Sequence, residues 1–308
     1  MKKLTIFLPD LSAQQILSLV EIDTSMIDIQ PINENWEKTF NRTVGLNQPE
    51  LPWTQLRVAQ FDIGEEVKTA CTCQPVLIQM THRGAYMLGQ QPLALSANDS
   101  LRIVSQINEK LMRPGEKLLF IDKNAWVYTS EKALQLSALS VSDLIGKDLF
   151  NYPYAGNDAS FWQQLGTELQ MLIKQMVDYQ GLAATAPETL MSVHFSDLIN
   201  PQQLPELKFI KNENLTVVSN NDLIRLFCLQ SMLACKPVAQ LPQVNTEYCV
   251  LIAHDEEKES YPAVVQTWVK YAIEKSQVSC QLIGQDAKLT VKKPLGLLAK
   301  MKRVIMRK

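Results

Sequence analysis

The sequence predicts an α/β protein with a mostly parallel central sheet covered by helices and an antiparallel, strand-rich insertion. In the second half of the chain, strand and helix patterns alternate, which is the order that parallel sheets require. Between residues 67 and 88, short apolar runs are separated by turn residues, as in an antiparallel meander. Hydrophobic residues make up 46% and charged residues 20% of the 308-residue chain, an ordinary composition for a globular protein.

Short apolar runs bounded by turn residues predict the strands. The first run stops at Pro9-Asp10, and Gln74-Pro75 separates the second run from the third. The predicted strands are residues 4–8, 67–73, 76–80, 85–88, 117–121, 125–129, 189–195, 215–218, 248–253, 278–283 and 288–291.

Apolar residues at helical spacing predict the helices. Ser96 suits an N-cap with Asp99 three residues later, and the longest helix opens at Asp158 and closes at Gly181. The predicted helices are residues 12–20, two short helices within 31–62, then 96–112, 158–179, 222–234 and 261–275.

The predicted organisation is one domain over residues 1–287, with a possible internal boundary near 181–187, and a basic segment over 288–308. That segment carries eight of the 30 Lys and Arg residues and no Asp or Glu, so the body has a charge of about −10. An acidic body repels phosphates and argues against nucleic-acid binding. The basic segment suits an anionic membrane surface or an acidic partner, or it packs on the body itself.

A cytoplasmic location is predicted from three absences in the sequence. Pro9 and Asp10 end the first apolar run too early for a secretory signal. No apolar stretch reaches the ~20 residues of a membrane span. The six cysteines have no zinc-ribbon spacing and read as reduced, mostly buried thiols. Cys71 and Cys73 share one face of a predicted strand, where core packing is favoured over a metal or redox role.

Asp10, His254 and Asp255 are the candidate metal-ligating residues, because each follows a predicted strand and sites in α/β folds gather at the carboxyl ends of strands. The alternative is that Asp10 caps a helix and that the other two begin a charged loop. No nucleophile elbow, phosphate-binding loop or His-Glu-x-x-His motif occurs. The sequence therefore predicts no catalytic residue and no cofactor, with Ser196 and Ser219 as remote nucleophile candidates. The segment from His194 to Asp197 reads as a turn.

Several short motifs resemble the bacterial RpfE-like regulatory proteins, which are related to the 2,3-bisphosphoglycerate-independent phosphoglycerate mutases. Residues 156–162 resemble a Gly-x-Asp-Ala…Trp segment, residues 165–172 a Glu-x-Gln-Met helix, and residues 203–205 a Leu-Pro turn. Residues 73–76 with 88–95, 126–128 and 219–234 resemble further family segments in the same order.

The resemblance implies an alkaline-phosphatase-like sheet, whose active members hold two metal ions with clustered Asp and His and use a Ser nucleophile. This chain departs from the pattern at Gln74, Leu77 and 174–177, where the family has Asp or His, and at 192–197, where the family has a strand rich in Trp and Gly. We therefore expect a non-catalytic protein that binds a protein partner or a small ligand. A residual metal-dependent phosphomutase or phosphatase, and a peripheral subunit recruited by the basic C-terminus, stay open as alternatives.

Overall fold

A computed structural model describes most of the chain. The described residues are 2–8, 12–20, 27–32, 36–46, 51–89, 95–180, 189–203, 215–219, 222–231, 233–237, 247–251, 261–274, 278–283 and 287–291. The strands are β1 Lys2–Phe7, β2 Ile27–Pro31, β3 Thr69–Thr81, β4 Gly84–Gly89, β5 Glu116–Asp122, β6 Ala125–Ser130, β7 Thr189–Ile199, β8 Leu215–Val218, β9 Ala234–Lys236, β10 Glu247–Leu251, β11 Val278–Ile283 and β12 Ala287–Val291. The helices are α1 Ala13–Val20, α2 Trp36–Val44, α3 Trp53–Val58, α4 Ala97–Lys110, α5 Val141–Leu144, α6 Ala159–Gln180, α7 Asp222–Gln230 and α8 Tyr261–Glu274.

Contacts within the chain group it into two compact units. Unit 1 combines residues 1–51 with 207–308, and unit 2 is residues 52–206. The possible boundary near 181–187 lies outside the described residues. The prediction that residues 1–287 fold as a single domain stays a prediction.

Unit 1 is built on a seven-stranded mixed sheet in the order β2-β12-β11-β1-β10-β8-β9. The pairings from β11 to β9 are parallel, and those of β12 with β11 and with β2 are antiparallel. Residues 4–7 of β1 are buried on both faces of the sheet. Leu4 and Ile6 join a core with Trp268 of α8, whereas the Phe7 ring packs 5.5 Å from Phe40 of α2. Helices therefore bury both faces of this strand.

Unit 2 is built on an antiparallel sheet in the order β4-β3-β6-β5, with β7 also paired to β3. Helices α4 and α6 contribute to its core, in which Trp126 and Trp162 are fully buried. The Trp126 indole Nε1 donates to Ser100 Oγ at 2.8 Å, and the Trp162 Nε1 donates to the Gln135 carbonyl at 2.9 Å. Both of these buried indole N–H groups therefore have a partner.

The mixed α/β class is confirmed, but the balance of strands differs from the prediction. Among the described strand pairs, six are antiparallel and four are parallel. The strands predicted as an insertion form a sheet of their own, because the 13 residues of β3 pair with three different strands. The antiparallel part is therefore the whole framework of unit 2.

Three element predictions are corrected. Gln74-Pro75 lies inside β3 and does not divide it. On one edge of β3, pairing with β6 ends at Cys73 and pairing with β4 begins at Leu77. Pro75, which has no N–H, is tolerated because it lies in the unpaired stretch between them. Helix α7 ends at Gln230, and Ala234 begins β9. Strands β2 and β9 were not predicted, since neither has a distinct apolar run.

Candidate functional site

The strands that precede the predicted metal ligands are neighbours in the sheet of unit 1. Strand β1 pairs in parallel with β10, so that Phe7 lies opposite Leu251, and β10 pairs in parallel with β8. The three strands therefore end at one edge of the sheet, where sites of α/β folds are found. Asp10, His254 and Asp255 lie beyond these strand ends, outside the described residues. Their role as metal ligands stays a prediction.

The two serine candidates are both buried. Ser219 follows β8 with no exposed surface, and its N–H donates to the Lys236 carbonyl at 3.0 Å. Ser196 lies in β7 of unit 2 and is 5% exposed. A nucleophile has to reach a substrate from solvent. In this structure neither hydroxyl is presented to solvent, so a reaction at either serine would need local opening.

A buried polar cluster in unit 2 joins α3 to β3 and β7. The Thr54 N–H donates to Asp197 Oδ2 at 2.6 Å, and the Thr54 and Thr72 hydroxyls lie 2.7 Å apart. Arg57 donates from a terminal guanidinium nitrogen to Thr72 Oγ1 at 2.8 Å. Burial raises the pKa of Asp197, although the Thr54 hydrogen bonds and the Arg57 charge act in the opposite direction. These hydrogen bonds tie α3 to β3 and β7.

The expected turn at residues 194–197 is wrong, because these residues lie within β7. The pairing of β7 with β3 shifts between Ala70 and Thr72, where Asp197 has a φ of 52°. An extra residue on one strand and a left-handed φ are the features of a β-bulge. The bulge lets the strand continue past the polar residues that suggested a turn.

His194 is held as a neutral, buried imidazole. Its Nε2 lies 2.8 Å from the Leu139 carbonyl, and its Nδ1 lies 3.4 Å from the Tyr154 hydroxyl. Because the carbonyl only accepts, Nε2 carries the proton. Burial lowers the pKa of His194. The Tyr154 hydroxyl also accepts the Phe195 N–H at 3.0 Å. With both ring nitrogens engaged, the side chain orders the chain around β7.

The prediction of core thiols is confirmed for Cys71 and Cys73. Both are fully buried, and burial raises the pKa of each thiol well above its usual value. Across the described parts of the chain, no group of three or more His, Cys, Asp or Glu side chains could hold a metal ion.

An exposed apolar segment in unit 2, residues 145–152, was not predicted. Phe150 is 71% exposed, Ile145 55% and Tyr152 42%. The segment is anchored to β4, because Asp148 Oδ1 accepts the N–H groups of Ala85 and Phe150, each at 3.2 Å. The available sequence signal was an aromatic pair that follows no strand or helix pattern.

The charged side chains of this segment differ in exposure: Lys147 is exposed and Asp148 is half-buried. The Lys147 ammonium lies 5.1 Å from the centre of the Tyr152 ring, a cation–π contact. The Asp148 carboxylate is occupied by two backbone N–H groups. In the adjacent turn, His82 and Arg83 are exposed, and a Cβ on Gly84 would lie 2.6 Å from Asp148 Oδ2. The exposed charged side chains of this segment and the adjacent turn are therefore Lys147 and Arg83.

Only the start of the basic C-terminal segment is described. Residues 288–291 belong to β12, which pairs with β11 and β2. Residues 292–308 lie outside the described residues, so the predicted contact with a membrane or an acidic partner stays a prediction. None of the helices that the structure describes combines the length and apolar character needed to cross a membrane.

The fold defines the class as a mixed α/β protein of two units. No family model matches the chain, and no characterised protein sequence compared with it does. Among solved structures it is similar to the PH0037 protein of Pyrococcus horikoshii, with 9% identity over 95% of this chain and 87% of that one, at a TM-score of 0.42. It is also similar to the cofactor-independent phosphoglycerate mutase of Thermoplasma acidophilum DSM 1728, with 10% identity over 95% and 90% of the two chains, at a TM-score of 0.34. Similarity at these TM-scores does not support an inference about function, and the RpfE-like resemblance stays a prediction.

Proposed function

We propose that this chain is a non-catalytic regulatory protein of the RpfE-like type that binds a protein partner through residues 145–152. The observation that carries the proposal is the exposure of Ile145, Phe150 and Tyr152 on a segment anchored to a sheet. Large apolar side chains exposed together on an ordered segment are typical of protein interaction surfaces, where aromatic residues supply most of the binding energy.

The partner presents an acidic and apolar surface. Lys147 and Arg83 are exposed cations around the segment, and Oδ1 of Asp148 accepts two backbone N–H groups. A complementary surface therefore offers carboxylates to the cations and an apolar pocket to Phe150. Complementary charge speeds association and excludes basic partners, and the buried ring slows dissociation.

The test is affinity capture with the full chain, followed by binding measurements with each purified captured protein. Phe150→Glu should lower the affinity for the true partner at least ~10-fold, because it removes the central apolar contact. Lys147→Glu should lower it mainly by slowing association. Met171→Glu is the matched control, because Met171 is 60% exposed on α6 of the same unit and should leave the affinity unchanged.

Three results would overturn the proposal. The first is that no protein is captured, and the second is that every captured protein binds the Phe150→Glu variant as well as the native chain. The third is a dimer in sedimentation that Phe150→Glu dissociates, which would assign the surface to self-association. Hydrolysis or isomerisation of phosphoesters by the purified chain with Mn²⁺ would remove the non-catalytic part of the proposal.

A metal-dependent phosphomutase or phosphatase is the second candidate function. The parallel pairing of β1 with β10 favours it, because the sequence places Asp10 after one strand and His254-Asp255 after the other. Two carboxylates and an imidazole suit a divalent cation. Metal analysis after gentle purification tests this function: less than one ion per chain, together with no activity, removes it.

A further inference from the structure

Two cysteines of unit 1 that are distant from the exposed segment in sequence lie side by side. Cys228 is fully buried in the last turn of α7, and Cys235 is half-buried in the middle of β9. The chain turns back between them, because the Leu233 N–H donates to the Cys228 carbonyl at 2.9 Å. The two thiols are hydrogen-bonded to each other.

The surroundings of Cys235 favour its thiolate. The hydrogen bond from the Cys228 thiol is the largest cause that lowers the pKa of Cys235 to about 7, with smaller contributions from the Arg225 charge and from the backbone N–H groups of Ser219 and Lys236. Partial burial acts in the opposite direction. By contrast, burial raises the pKa of Cys280 to about 12. The thiolate is the reactive form of cysteine, so Cys235 should be much more reactive than Cys280.

We propose that Cys235 is an oxidation site for hydroperoxides and that Cys228 is its resolving thiol, so that the pair closes into a disulfide. The inference rests on a half-buried thiol hydrogen-bonded to a second, buried thiol, with a cation and two N–H donors around it. Reactive cysteines that act as redox sensors have this arrangement of an accessible thiol beside a resolving one. The site is independent of the surface proposed for partner binding.

The chemistry proceeds in two steps. The Cys235 thiolate attacks the terminal oxygen of the hydroperoxide, an S–O bond forms and the O–O bond breaks. The sulfur becomes a sulfenic acid, and the alkoxide or hydroxide that leaves takes up a proton from solvent to give an alcohol or water. The Cys228 sulfur then attacks the sulfenic sulfur. An S–S bond forms, the S–O bond breaks, and the Cys228 proton leaves with the hydroxide as water.

The sheet register restricts the choice of the resolving thiol. Val217 of β8 lies between Cys235 of β9 and Cys249 of β10 in register. Cys249 is therefore two strand spacings away, at about 9.5 Å between Cα atoms, beyond the ~7 Å limit for a disulfide. Among the cysteine side chains that the structure describes in this unit, Cys228 is the one hydrogen-bonded to Cys235.

Mass spectrometry of the full chain can locate the disulfide. The reduced protein is treated with hydrogen peroxide, its remaining thiols are alkylated, and it is digested with trypsin. Cleavage follows Arg225 but not Lys236, which precedes Pro237, so residues 226–258 form one peptide with Cys228, Cys235 and Cys249. We expect this peptide to become two hydrogens lighter than its reduced form, with an alkyl group on Cys249 only.

Three substitutions test the order of the steps. Cys228→Ser should leave a sulfenic acid on Cys235 that dimedone labels. Cys235→Ser should leave Cys228 fully alkylated after peroxide treatment. Cys280→Ser is the matched control, with a buried thiol in the same unit, and should not change the oxidation. In the native chain, alkylation of Cys235 should be at least ~10-fold faster than that of Cys280.

The proposal is overturned if residues 226–258 keep three alkylated cysteines while other thiols are oxidised. It is also overturned if the disulfide links Cys235 to any other cysteine. Circular dichroism checks the fold of each variant. If Cys228→Ser or Cys235→Ser does not fold, the peptide map of the native chain decides alone.

Discussion

At the scale of single residues, Asp197 combines a left-handed backbone with a buried carboxylate. Its φ of 52° belongs to a region that Asp and Asn tolerate better than most residues, which suits them to the bulge in β7. Its Oδ2 accepts the Thr54 N–H and thereby ties α3 to the sheet. The price is a buried negative charge, which raises the pKa of the carboxyl. Arg57 and Cys71 are the charged or titratable groups that act with it.

The raised pKa of Asp197 predicts how stability changes with pH. The folded chain binds this proton more tightly than the unfolded chain, so the contribution is fully present below the unfolded pKa, near 3.8, and is lost as pH rises through the folded pKa. Asp197→Asn keeps an acceptor for Thr54 and has no charge. The native chain should therefore lose stability relative to this variant as pH rises from about 3 to about 7.

Urea unfolding midpoints of the two proteins across this range provide the measurement. Asp62→Asn, at an exposed carboxylate outside the cluster, controls for the general effect of removing one negative charge. A constant difference between native and Asp197→Asn midpoints, or a change in the opposite direction, would contradict the prediction. A constant difference would mean that Arg57 and the Thr54 hydrogen bonds offset burial, and a change in the opposite direction would mean that they outweigh it.

At the scale of elements, α6 shows how one helix stabilises the sheet of unit 2. Trp162, Leu169 and Ile173 are buried on its inner face in the same core as Phe195 of β7. The Trp162 and Phe195 rings lie 5.0 Å apart. Met171, by contrast, is 60% exposed on the outer face. The apolar residues at helical spacing therefore lie on the face of α6 that packs on the sheet, and Met171 lies on the face exposed to solvent.

Two substitutions of similar size on α6 should have very different effects. Leu169 is 1% exposed, so Leu169→Ala should lower the free energy of unfolding by about 2–5 kcal/mol through lost burial and a cavity. Met171→Ala, on the exposed face, should change it by no more than about 0.5 kcal/mol. Urea denaturation followed by tryptophan fluorescence measures both. Equal losses would show that α6 is not packed on this core.

At the scale of the whole molecule, the two units have separate frameworks. Unit 1 combines two stretches of chain around a mixed sheet, and unit 2 is the continuous stretch 52–206 around an antiparallel sheet. A compact stretch with its own sheet and core meets the usual conditions for independent folding.

Residues 52–206 expressed alone should therefore fold. We expect a circular dichroism spectrum of mixed helix and strand and a single cooperative transition in urea. The full chain under the same conditions is the control. A fragment without a cooperative transition would instead support the predicted single domain over residues 1–287.

Local patterns were sufficient for much of the secondary structure. Apolar spacing placed α4 and α6 within two residues of their ends, because a helix satisfies its hydrogen bonds within one segment. The runs of β1, β8 and β11 were also recognisable, since short runs rich in apolar and β-branched residues are typical of strands. Asp10, His254 and Asp255 were selected by the same local reasoning, and their convergence stays a prediction.

Strand partners and side-chain neighbours were decided by the tertiary structure. Strands β2 and β9 exist because neighbouring strands offer them hydrogen bonds, and β3 continues through Pro75 because the β7 side supports it. The meeting of Cys228 with Cys235 depends on how α7 turns back to the sheet edge. Hydrogen bonds between strands and contacts between side chains join residues far apart in sequence, so no local pattern records them.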